Sequence, residues 1–252
     1  MSFPKDLTSL IESYTPTDTP IVPIGTRCSY GGRTWFYAKA GGALIPDIGA
    51  NNALFQGVAY ADIGAAAAVG DIIVEVETAA TDGAAGTGLM VKDAFVGGYM
   101  IIFSATANKV QMRKITSNEA RVATGEVHVK FGIDIPLTYA LTVSDHCEIM
   151  ESPWANVQSE KGTGYPIVGV PTAVATTGQY LWLQTWGPCW LACQSTLGVA
   201  AGLNACFRYD GSIDLVGADG YAADHSQHAG FVLAESATQT QGAPFIMLQI
   251  CP

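Results

Sequence analysis

From Gly25 onward the sequence breaks into short runs in which apolar and polar residues alternate, each ended by glycine or another turn former. A period of two is that of a β-strand, and a chain cut this often leaves no stretch for a long amphipathic helix. "DIIVEVETA" shows the pattern, with Ile73, Glu75 and Glu77 alternating against Ile72, Val74 and Val76. "CSYGGRTWFYAK" predicts a hairpin, because Gly31 and Gly32 accept the positive φ angles of a two-residue turn. "GGYMIIFSA" and "NKVQMRKI" read as partner strands; "GEVHVKFG", "YPIVGVPTAV", "GQYLWLQTW", "GSIDLVG", "GFVLAE" and "PFIMLQI" read as further ones. Strand signals at spacings of about 8 to 15 residues predict an all-β fold, sandwich or barrel-like, with glycine-rich loops. "DIGAAAAVGD" and "TDGAAGTGL" are two of those loops, the first with room for a short helical turn.

Residues 1–24 have a different character from the remainder of the chain. One amphipathic turn around Leu7, Leu10 and Ile11 leads into "YTPTDTPIVP", where recurrent prolines favour extended backbone. This is an extended N-terminal arm, either docked on a surface or disordered. In "SPWANVQSEKGTGYP" the alternation lapses and the composition turns polar, which predicts an N-terminal β region at 25–155 and a C-terminal one at 156–252.

Charged residues make up 13% of the chain, about half of the usual ~25%. Much of the surface is then neutral, as in subunits that cover one another in an assembly. The net charge is −10, with no basic cluster to neutralise a phosphate backbone, which argues against nucleic acid as a partner. No apolar run approaches the ~20 residues that span a bilayer. Asp6, Glu12, Asp18 and three prolines among the first twenty residues do not form a secretory signal. The expectation is a cytoplasmic origin, with the six cysteines reduced.

The residues that could carry chemistry do not form a known pattern. Cys189 and Cys193 are four apart in what reads as a strand, a separation of roughly 13 Å, too far to share one metal without an intervening turn. Buried thiols serving as small apolar residues fit better. Asp145, His146 and Cys147 are neighbours whose side chains would alternate between faces, and there is no Gly-x-Ser-x-Gly elbow. Asp210, Asp214, Asp219 and Asp224 do not follow a calcium-loop spacing, and "GAAGTG" lacks the Gly-Lys-Ser/Thr of a phosphate loop. Glu75 and Glu77 share a strand face, as solvated strands routinely have it. The expectation is no enzyme, no cofactor and no metal, with a small β hydrolase as the remote alternative.

"TTGQYLWLQTWGPCWLACQ" holds three tryptophans and no charge. As one strand it points Tyr180, Trp182, Gln184 and Trp186 one way and Leu181, Leu183 and Thr185 the other, so both faces expect a cover. Tyr and Trp suit an interface.

Four segments in order, "GTRCSYGGRTWFYAKAGGALIPD", "VGDIIVEVE", "MVKDAFVGGYMIIFSATANKVQMRKITSNEA" and "GYPIVGVPTAVATTGQYLWLQTWGPCWL", resemble the head decoration, or cement, proteins of tailed bacteriophages. Gly25, Thr26, Arg33, Phe36, Tyr37 and Lys39 match that family's early hairpin and strand; Gly178, Tyr180, Trp182, Gln184, Gly187 and Pro188 match its late Gly-x-Tyr-x-Trp-x-Gln strand. The resemblance covers most of residues 25–192 and is of fold pattern rather than of chemistry. It implies a virion structural protein, a homotrimer on the outer surface of an icosahedral capsid, assembled in the host cytoplasm. Its partner would be the major capsid protein, and its role to cement capsomers around the packaged DNA. The alternative is a phage spike or fibre-base protein that binds a host-surface glycan. The expected interface comprises Phe3, Leu7 and Ile11 of the arm, reaching a neighbouring subunit or the coat, with Tyr180, Trp182 and Trp186.

Overall fold

The computed structural model describes residues 15–52, 56–84, 89–105, 108–121, 128–159, 165–194, 197, 203–216, 227–234 and 244–252. Among them there is no helix, and every pairing between strands is antiparallel. The fold is all-β, as the glycine-cut alternation predicts. It divides into two units: Met1–Ala53 with Trp154–Pro252, and Leu54–Pro153.

The first unit holds β1 (Arg27–Tyr30), β2 (Arg33–Lys39) and β3 (Ala50–Asn51) from its early segment. Its late segment supplies β11 (Gln158–Ser159), β12 (Ile167–Pro171), β13 (Tyr180–Trp190), β14 (Asn204–Phe207), β15 (Ile213–Leu215), β16 (His228–Ala234) and β17 (Phe245–Gln249). The sheet runs β11-β3-β12-β13-β17-β16-β14-β15, and β2 also lies along β13 with β1 beyond it. Gly31 and Gly32, at φ +57° and +77°, make the predicted tight turn between β1 and β2. This division differs from the expected 25–155 and 156–252. The boundary near residue 154 is shared, but β2 and β3 pair with strands from the late segment, with β1 on β2, so the second unit is an insertion in the first. Asn51 opposite Gln158 marks where the chain leaves and re-enters.

The second unit holds β4 (Gln56–Asp62), β5 (Ile73–Glu77), β6 (Gly83–Ala84), β7 (Tyr99–Ser104), β8 (Lys109–Asn118), β9 (His128–Ile133) and β10 (His146–Met150). Their order is β5-β9-β8-β7-β10-β4-β6. A bridge between Ile63, just past β4, and Val76 of β5 joins the first strand of this order to the end of the last but one, with Gly64 N–H donating to the Glu75 carbonyl at 2.8 Å. The order therefore returns on itself, as in a barrel. Alternation fills the interior: Val74 and Val76, Met100 and Ile102, Val129 and Phe131, Cys147 and Ile149 all point in. Phe95 meets Phe131 edge to face, with ring centroids 5.8 Å apart.

Candidate assembly surfaces

The first half of β13 is lined on one side by aromatic rings. Tyr37 stands beside Trp182, with ring centroids 5.1 Å apart, and beside Tyr180 at 6.0 Å, and Cys28 and Trp35 complete the cluster. A strap formed by residues 15–25 covers it. Thr17 and Tyr180 exchange two backbone hydrogen bonds of 2.9 and 2.8 Å, Ile21 N–H donates to the Tyr37 hydroxyl at 3.3 Å, and Val22 packs on the rings. Trp182 is left 4% exposed. Two of the expected interface residues, Tyr180 and Trp182, thus sit in an aromatic core closed by the chain's own strap. Phe3, Leu7 and Ile11 lie outside the described residues.

Halfway along, the strand changes face. The register slips between Gln184, opposite Trp35, and Trp186, opposite Thr34. Thr34 and Trp35 are consecutive and point to opposite sides. Trp186 is therefore off the face of Trp182, which corrects the expectation that Tyr180, Trp182, Gln184 and Trp186 share one. Gln184 holds the slip: buried, its Nε2 donates to the carbonyls of Trp186 at 3.1 Å and Pro188 at 2.9 Å. Gly187 supplies a φ of +94°.

Past the slip the strand carries an open face. Gly187 and Cys189 point into the core, while Trp186 and Pro188 are half-buried and Trp190 is 45% exposed. Burial drives the Cys189 thiol up to about 12, so it is an inert core group. Opposite Trp190 lies Phe245, and opposite Pro188 lies Met247, followed by Phe231 on β16. Phe231, Leu233 and Phe245 are all exposed. These side chains form one apolar, uncharged face across three strands. The alternation of "PFIMLQI" carried the signal, since Phe245 and Met247 are as apolar as Ile246 and Leu248 behind them.

The second unit has an open face of its own. On β8, β7, β10 and β4 the outward residues form cross-strand rows: Val110, Phe103, His146 and Asp62; Met112, Ile101 and Glu148; Lys114, Tyr99, Met150 and Gly57. Val110 and Met112 are more than 60% exposed. Tyr60, at φ +46°, turns its ring over His146 at 4.6 Å, and Asp62 Oδ1 lies 2.6 Å from His146 Nδ1. Beside Tyr99, Ile101 and Met150 the surface sinks into a groove of about 630 Å³, overhung by Thr81, Asp82 and Gly83.

The six cysteines are free thiols. Asp145 and His146 diverge as expected. His146 faces outward, whereas Asp145 is buried and accepts the backbone N–H groups of Ala105 and Thr142 at 2.8 Å each. Burial pushes the Asp145 pKa up, but these hydrogen bonds outweigh it and hold the pKa below its ordinary value. Glu75 pairs with His128 across strands at 2.7 Å. Asp214 is buried against Arg208 at 2.9 Å, bracing the β14–β15 hairpin, while Asp219 and Asp224 lie outside the described residues. Among the described residues no three His, Cys, Asp or Glu side chains gather in a way that could hold a metal ion.

Comparison with protein-family models, with curated proteins and with solved structures gave no match.

Proposed function

We propose that this protein is a capsid decoration protein, which binds the outer surface of an icosahedral phage head as a homotrimer and cements neighbouring capsomers. The observation that carries this reading is that each unit has a sheet face with large exposed apolar side chains and no cover among the described residues. The first lies around Trp190, Phe245 and Phe231, the second around Met112, Ile101 and Tyr60. Faces of this kind are uncommon on a protein that works alone. Covering them contributes roughly 25 cal/mol per Å² of apolar surface, and a lattice repeats each contact over many copies. The low charge and the resemblance of residues 25–192 to cement proteins support the same reading.

The test compares phage particles with and without this chain. Decoration predicts copies in fixed proportion to the coat protein, and heads that release DNA at a lower temperature once the chain is deleted. A few copies confined to one vertex or to the tail, with unchanged heat resistance, would overturn it in favour of the spike reading.

A further inference from the structure

The open face of the second unit carries Glu148 at its middle, among Phe103, Ile101, Met112, Tyr99 and Met150, with Asp62, His146 and Lys114 towards its rim. Glu148 projects from β10 with His146 and Met150 on either side of it along the strand, and with Ile101 directly opposite on β7. It is exposed and makes no ion pair among the described residues. The neighbouring imidazole is engaged, lying between Asp62 and the ring of Tyr60. Lys114 lies two strands away, beside Tyr99 in the Met150 row, about 12 Å off by the spacing of strands and the two-residue offset along them. Asp82 adds a second carboxylate to the groove, and no Lys or Arg lines it. Asp82 is tied to the backbone, accepting the Ala79 N–H at 2.6 Å, which leaves Glu148 as the one carboxylate of the groove free to meet a ligand. A carboxylate without a counter-ion beside apolar side chains repels acidic partners and selects a cation, because an apolar partner would bury it uncompensated.

We propose that this groove docks a basic segment of a partner protein, a Lys or Arg flanked by apolar side chains, with the cation on Glu148 and the flanks on Tyr99, Ile101 and Met150. A volume of about 630 Å³ suits a few side chains rather than a whole domain. The proposal rests on the decoration reading only in naming the coat protein as the source of that segment.

Two measurements separate the claims. The first uses full-length protein and fluorescent ten-residue peptides with apolar residues around a central Lys, Gln or Glu. Anisotropy should show the Lys peptide binding about tenfold tighter than the Gln peptide. The preference should vanish in Glu148→Gln and pass to the Glu peptide in Glu148→Lys. Equal binding of all three peptides to the wild type, or a preference that survives Glu148→Lys, overturns the groove assignment. So does binding of neutral host polysaccharide that competes with the peptides, which gives the groove to a glycan. Self-association in sedimentation that Glu148→Lys abolishes overturns it too, giving the face to a second copy. The second measurement is binding to heads that lack this chain. Loss of at least tenfold in Glu148→Lys, with an unchanged melting curve, supports the coat as source. Failure of the wild type itself to bind heads sinks the decoration reading while leaving the peptide result standing.

Discussion

The two halves of β13 contain the same kinds of residue and are treated in opposite ways. Along the first, the strap from Thr17 to Val22 closes over Tyr180 and Trp182. Along the second, Trp190 and its neighbours Phe245 and Phe231 have no such strap among the described residues. Where the chain uses aromatic rings as its own core, it supplies the lid, with hydrogen bonds to hold it. Where it does not, the same apolar area has no cover among the described residues.

The contrast between the halves breaks most visibly at Trp182. Trp182→Ala should lower stability by several kcal/mol, from the usual cost of about 3 to 5 for deleting a buried ring. The indole N–H has no acceptor among the described residues, and losing an unpaired buried donor offsets part of the cost. About 3 kcal/mol is expected in denaturant titration, and a change below 1 would mean that the strap is no true lid. Next is Gly187, where the strand passes from one regime to the other. A Cβ there would strike the carbonyl of Gly32 and come within 2.9 Å of Arg33 Cα, at a φ of +94°. Both obstacles are backbone, so rotamer changes give no relief. Gly187→Ala should cost about 2 kcal/mol, and wild-type stability would show that the slip between the halves is adaptable.

The alternation of "GQYLWLQTW" was legible because period two is local, and so were the β1–β2 turn and the β7–β8 pair. The slip was not. A bulge is set by how a strand meets two different partners, here β2 first and then β17, and only the Gly187-Pro188 pair hinted at it. β4, "QGVAYAD", is built of small residues with little amplitude to its pattern. The insertion of the second unit was invisible for a related reason: β2 joins β13 across more than a hundred residues, and no local signal records such a pairing. Of the expected interface, Trp182 and Tyr180 carried a strong aromatic signal but lie under the strap. The open rings, Trp190, Phe245 and Phe231, are scattered over three strands and meet only in the sheet.

Two smaller effects sharpen the contrast. Tyr37→Phe keeps the ring and removes the hydroxyl that lies 3.2 Å from Thr17 Oγ1 and accepts from Ile21 N–H. It should cost about 1 kcal/mol and speed cleavage of the strap by protease. Equal cleavage rates would show that packing alone holds the strap. The smallest effect on stability belongs to the open half. Trp190→Ala removes a ring that is already 45% exposed, and the melting curve should move by no more than about 0.5 kcal/mol. Binding should move far more, because an aromatic anchor at the middle of an interface commonly contributes 2 kcal/mol or more, about thirtyfold in affinity. Titrating Trp190→Ala against heads that lack this chain separates the two. A ring that mattered to neither folding nor binding would end the idea that the open half awaits a partner. A ring that mattered to folding as much as Trp182 would make the two halves alike after all.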